Sequence, residues 1–207
     1  KANYKMVATD GHRLSLVSRE GKSGDKNEAF NKGVIIPRKG LNEIRKLIEG
    51  VEGDLELALE GAQLIVRRDA TVLMIRLIEG KYPNYKQLIP HNLNENVSLH
   101  RDSLLSSLKR VSLLSNQKSK GVTFAISDGK MAITSNNPEL GDAHEEIDVE
   151  YRGKQLKIGF NAKYILDVLG NIKDEQVNLE LKDQLSPGLV RPLTDKYYNS
   201  VIMPMRI

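Results

Sequence analysis

The stretch VSLHRDSLLSSLKRVSLLS, residues 97–115, opens with a short alternating run and continues with apolar residues at helical spacing. Leu104, Leu105, Leu108, Val111 and Leu114 fall on one face, which predicts a strand leading into an amphipathic helix. Two further stretches repeat the pattern. VIIPRKGLNEIRKLIEG (34–50) aligns Leu41, Ile44, Leu47 and Ile48, and LKIGFNAKYILDVLGNI (156–172) aligns Tyr164, Ile165, Val168 and Leu169. Each apolar stripe needs a surface to cover it, and the strand-like runs that follow supply one.

After the first helix come DLELALEG, AQLIVRRD and TVLMIRLIEG, the first two alternating at period two. After the second come GVTFAISDGKMAITSNN, whose SDGK is a hairpin turn, and HEEIDVEY. After the third come QVNLELKD, GLVRPL and NSVIMPMRI. The repeating unit is strand, helix, then about three strands, an α+β organisation. KMVATD and HRLSLVSRE, joined through DGH, read as the closing strands of an earlier copy that lacks its opening strand and helix. Prolines and asparagines in YPNYKQLIPHNLNEN (82–96) interrupt the periodicity. The expected division is therefore residues 1–88 and residues 89–207.

Composition narrows the function classes. The chain has 207 residues, 40% hydrophobic and 28% charged, which suits one large or two ordinary globular domains. It has no cysteine, so disulfides and thiolate metal sites are excluded, in keeping with a reducing cytoplasm. No apolar run approaches the roughly 20 residues of a membrane span. A start at Lys1, within an element, predicts a fragment of a longer protein. The net charge of +4 is too modest to indicate tight phosphate binding, so any nucleic-acid role depends on where the charges sit. They sit on the helices: Arg38, Lys39, Arg45 and Lys46 on the first, Lys109 and Arg110 on the second, Lys163 on the third. Such residues are either solvated faces or a basic surface for a polyanion.

The residues that look most like chemistry are in ATDGHRLSLVS (8–18). A metal site would use Asp10 and His12, but two ligands make an incomplete set. A catalytic site would make His12 a base oriented by Asp10, as in a hydrolase, yet no nucleophile elbow accompanies them. A third reading is a polar turn between two strands, since Asp-Gly is a common turn dipeptide. Phosphate-binding glycine loops are absent. The tail SVIMPMRI is unusually apolar for a chain end. It is either the last strand of a core or, through Met203 and Met205 around Pro204, an adaptable binding surface.

VATDGHRL, VIIPRKG, GKYPNYKQLIP, NNPE, IGFNAKYILDVL and VIMPMRI occur in this order and spacing in the bacterial DNA polymerase III sliding clamps, and the chain resembles that family over essentially its whole length. The resemblance implies a DNA-clamp fold with antiparallel sheets outside and helices on an inner face. Residues 1–88 would be most of the middle domain and 89–207 the last. It implies a non-enzymatic processivity factor, without cofactor or metal, that closes as a homodimeric ring around duplex DNA. Polymerases, the clamp loader and repair proteins would dock on it through short peptides.

Carried onto this chain, the resemblance places a peptide pocket at Thr9, Gly11, His12, Arg13 and Leu14. Pro83, Gln87 and Leu88 would join it, with Val201, Met203, Pro204, Met205 and Arg206 from the tail. Asn161, Tyr164 and Leu185 would form its rim. Arg38, Lys39, Arg45, Lys46, Lys109, Arg110 and Lys163 would face DNA without reading sequence. Leu113, Leu114, Glu145 and Glu146 would belong to the subunit interface. With no first domain, the chain is expected not to close a ring.

Overall fold

The computed structural model describes residues 2–21, 30 and 32–206. They form two compact units. Of the described residues, one takes 3–20 and 84–206, and the other takes 2, 21, 30 and 32–83.

The larger unit holds two sheets and two helices. Its elements are β1 (Ala2–Thr9), β2 (Arg13–Gly21), β6 (Glu95–His100), α2 (Arg101–Ser112), β7 (Gly121–Ser127), β8 (Lys130–Asn137) and β9 (Gly141–Asp148). Then follow β10 (Leu156–Asn161), α3 (Ala162–Leu169), β11 (Gln176–Leu181), β12 (Gly188–Pro192) and β13 (Tyr198–Ile202). Strand order is β1-β2-β13-β12-β11-β6 in one sheet and β10-β7-β8-β9 in the other. The expected unit of strand, helix and three strands therefore occurs twice, as β6-α2-β7-β8-β9 and β10-α3-β11-β12-β13.

The two repeats exchange their opening strands. β6 pairs antiparallel with β11, setting Val97 opposite Leu179, and β10 pairs with β7, setting Ile158 opposite Phe124. Neither sheet is complete without both repeats. Alternation explains the core between them. Val122, Phe124 and Ile126 of β7, with Met131 and Ile133 of β8, point inward at period two. They join Leu104, Leu108 and Val111 of α2 and Ile165, Val168 and Leu169 of α3 in one buried cluster. Each such side chain contributes about 1.5–3 kcal/mol on full burial. Arg101 ties the helices together, its Nη1 donating to the Ile172 carbonyl at 2.7 Å just beyond α3.

The smaller unit holds α1 (Arg38–Ile48) and a sheet of β3 (Glu56–Glu60), β4 (Gln63–Arg68) and β5 (Thr71–Arg76), in that order. Leu64, Val66 and Ile75 are buried with Ile44 and Leu47 of α1 packed on them. Gly40 is buried because the helix lies close to the sheet, where a Cβ would stand 2.6 Å from Ile75 Cγ2. Arg68 is 8% exposed and closes the end of α1, donating to the Leu47 and Glu52 carbonyls at 2.6 and 2.9 Å.

Two expectations differ from this arrangement. The strand read ahead of the first helix shrinks to one bridge between Ile35 and Ile78, because only Val34, Ile35 and Ile36 lie between Gly33, whose φ is 71°, and Pro37. The compact units also do not coincide with the expected division into residues 1–88 and 89–207. Residues 3–20 cluster with 84–206 because β2 hydrogen-bonds β13, with Leu14 opposite Val201 and Arg13 opposite Ile202.

Candidate functional site

The turn between β1 and β2 is built by its own side chains. Thr9 Oγ1 donates to the Arg13 carbonyl at 2.7 Å and accepts from Gly11 N. Asp10 Oδ1 accepts from the backbone N–H groups of His12 and Arg13, both at 3.1 Å. Gly11 has a φ of 88°, a left-handed conformation that glycine adopts without strain. Of the three readings of TDGHR, the polar turn accounts for Asp10. Its Oδ2 takes Arg13 Nε at 3.0 Å, so both oxygens are engaged and it holds the His12 backbone instead of orienting the imidazole.

Arg13 carries the turn across to α3. Its Nη1 donates to Asp167 Oδ2 at 2.7 Å, and its Cζ lies 4.5 Å from the centre of the Tyr164 ring. His12 stacks on that ring from a centroid distance of 6.4 Å. Burial raises the Asp10 carboxyl, but the backbone N–H of His12 and the Arg13 guanidinium outweigh it and hold the group below its ordinary value. Asp167 behaves the same way, with burial opposed by Arg13 and then Lys163. Partial burial lowers Arg13, and its two carboxylates raise it further than burial lowers it.

The tail reaches the same place. β13 ends at Ile202, after which Met203 N donates to the His12 carbonyl at 2.9 Å and Met205 N to the Gly159 carbonyl at 2.8 Å. Pro204, with no N–H, occupies the step between these two bonds. Leu14 and Val201 face each other in register and are 3% and 1% exposed. With Leu189 they form a small buried cluster on which Tyr85 and Ile89 pack. The two residues therefore form a buried apolar floor. Gln87 and Leu88 are exposed on a short 3₁₀ turn (Tyr85–Leu88) whose Tyr85 belongs to that packing.

Three assigned rim residues fare differently. Tyr164 is central. Asn161 is spent on structure, its Oδ1 accepting from Lys163 N at the start of α3 and its Nδ2 donating to the Ser119 carbonyl. Leu185 is 69% exposed on a turn held by Asp183. Pro83 is exposed and belongs to the smaller unit. Arg206 is exposed at the tail. Asp167 was not singled out from the sequence. The only signal for it was helical spacing from Lys163, an i, i+4 pair that the structure forms at 3.1 Å.

The basic and interface assignments meet unexpectedly. Arg38, Lys39, Arg45 and Lys46 are all exposed on α1, Lys46 pairing with Glu43 at 3.0 Å. Lys109 is exposed on α2. Arg110, expected to face DNA, forks onto Glu145, expected at the subunit interface, with Nη2 to Oε2 at 2.5 Å. Hydrogen bonds from Arg110 and Ser107 bring Glu145 from 4.5 down to about 2. Glu146 pairs with Lys130 at 3.3 Å, Leu113 is 76% exposed, and Leu114 is half-buried. β9, which carries both glutamates, is an edge strand.

Comparisons with known proteins agree along the whole chain. The central domain of the DNA polymerase III beta subunit matches residues 1–84, and the C-terminal domain of the same subunit matches residues 86–206. The beta sliding clamp of Pseudomonas aeruginosa is 37% identical over 205 residues, 98% of this chain and 54% of the relative. A crystal structure of the Pseudomonas aeruginosa clamp bound to griselimycin superposes with a TM-score of 0.92 at 35% identity, over 99% of this chain and 55% of that one. The Bartonella birtlesii clamp bound to griselimycin gives 0.92 at 32%, with coverage of 99% and 55%. The chain thus spans about half the length of the relatives it matches.

Proposed function

The chain belongs to the DNA polymerase III beta-subunit family, the bacterial sliding clamps, and from that membership we propose that it is part of a non-catalytic processivity clamp. In the intact cytoplasmic protein two subunits close around duplex DNA, and polymerases, the clamp loader and repair proteins are held through short peptides. As it stands, the chain is a peptide-binding module.

The observation that carries this reading is the join of turn, helix and tail. Arg13 is fixed by Asp10 and Asp167 over Tyr164, while Met203 is bonded to His12. The same strands turn the apolar floor of Leu14 and Val201 to their other face. A surface set in advance costs little ordering on binding, and flexible methionines beside it accept more than one sequence. An unstructured peptide with a glutamine and apolar anchors fits such a place, with anchors over the floor and backbone along the polar edge.

The exposed cations of α1 and Lys109 support loose, sequence-independent phosphate contact. The edge strand β9 and exposed Leu113 support a subunit contact. The deciding experiment is a fluorescence-anisotropy titration of the chain with a labelled peptide bearing glutamine, leucine and phenylalanine. Binding in the micromolar range, about −8 kcal/mol, is expected. No saturable binding would overturn the reading. Tight binding to linear duplex at low salt would favour an ordinary nucleic-acid-binding domain.

A further inference from the structure

The four-stranded sheet has a second face, opposite the one packed on α2 and α3. Pairing aligns Gly159 with Thr123, Thr123 with Thr134, and Thr134 with His144 across β10, β7, β8 and β9. These residues alternate with the core-facing Phe124 and Ile133, so they line the outer side. A groove of about 560 Å³ lies there, with Gly159, Thr123, Thr134 and His144 among the residues that line it. Met205 lines this groove and bonds to Gly159. Met205 and Arg206 also belong to the tail that borders the proposed peptide pocket, so the two surfaces are continuous.

The charges in the groove are unbalanced. Lys157 and Arg206 both line it, and neither has a carboxylate partner among the described residues. His144 lies on the same face. Asp142, the acid of the groove, is engaged by Asn136 Nδ2. Lys157 stands opposite Ala125, which leaves its ammonium unobstructed from that neighbour. A shallow polar channel admits an extended chain, and two unpaired cations favour acidic side chains on it.

We propose that this groove holds an acidic, extended segment adjoining the anchor motif of a bound partner peptide, its carboxylates pairing with Lys157 and Arg206. The inference rests on the peptide-pocket reading above. In it, the pocket takes the anchors and the sheet face reads the charge of the flanking residues.

The test uses the full chain and four labelled peptides: the anchor sequence extended by three glutamates at its N-terminus or its C-terminus, and the same extensions made with glutamines. The unextended anchor peptide and the variant Lys157→Glu complete the set, with circular dichroism to verify the fold. At low ionic strength, one glutamate extension is expected to bind about three- to tenfold more tightly than its glutamine counterpart. That gain vanishes in Lys157→Glu, whereas the unextended peptide binds both proteins equally. Glutamate extensions no better than glutamine at either end, or a gain that survives Lys157→Glu, would overturn the inference while leaving the pocket intact. If the unextended peptide fails to bind the wild type, the pocket and the groove fall together.

Discussion

Arg13 and Asp167 lie 154 positions apart in the chain, and Arg13 Nη1 donates to Asp167 Oδ2 at 2.7 Å. This contact fastens the turn after β1 to α3. The second end of the guanidinium is held by Asp10, and the Tyr164 ring lies beneath it. Two elements distant in sequence, the turn and α3, thus share one cation, whose position sets the polar edge of the surface.

Removing one anchor tests that relationship. In Asp167→Asn, Arg13 keeps Asp10 but loses its charged tie to α3. Peptide affinity is expected to fall about two- to fivefold, since a partly exposed pair of this kind is worth at most about 1 kcal/mol. Lys163→Ala removes the other cation at Asp167 and should change affinity by less than about twofold. The comparison separates positioning of Arg13 from general loss of charge on α3. Equal affinities for Asp167→Asn and wild type in anisotropy titrations would remove Asp167 from the site.

Much of this architecture was legible in the sequence, and the illegible part has a physical reason. The strands and helices announced themselves through period two and period 3.6, as in Val122, Phe124 and Ile126 or Leu104, Leu108 and Val111. What periodicity does not encode is which strand pairs with which. The exchange of β6 and β10 between repeats, and the pairing of Leu14 with Val201, are long-range choices made by packing. Charge was legible only as position. Arg110 and Lys109 are neighbours on α2, yet Arg110 finds Glu145 across the fold while Lys109 remains exposed.

The Arg110–Glu145 pair makes a pH prediction. Glu145 has its carboxyl lowered from 4.5 to about 2, first by Arg110 and then by Ser107. A carboxyl lowered on folding adds stability above its unfolded value and loses it as pH falls through the folded one. The loss from this residue therefore falls between about pH 4.5 and 2, and Asp10 and Asp167 add to it in the same direction. Glu145→Gln should reduce the acid-induced fall in urea midpoint across that window without removing it. Added salt should shrink the difference, because Arg110 is well exposed. Parallel profiles for variant and wild type would show that the pair contributes nothing to folding.

The tail separates binding from folding. β13 is held on both sides before the tail begins, by Leu189 opposite Val201 in β12 and Leu14 opposite Val201 in β2. A chain stopped after Ile202 keeps those pairings and the buried floor, but loses the bonds from Met203 to His12 and from Met205 to Gly159. Two backbone hydrogen bonds are worth about 1–3 kcal/mol together, a small part of the stability of a core this size. The truncated chain should therefore retain its circular dichroism and a cooperative melt, with peptide affinity reduced at least several-fold. Loss of cooperative folding would mean that the tail is a structural strand. Unchanged affinity would mean that peptides do not touch Met203 or Met205, and the pocket would have to be redrawn around the Asp10–Arg13 turn alone.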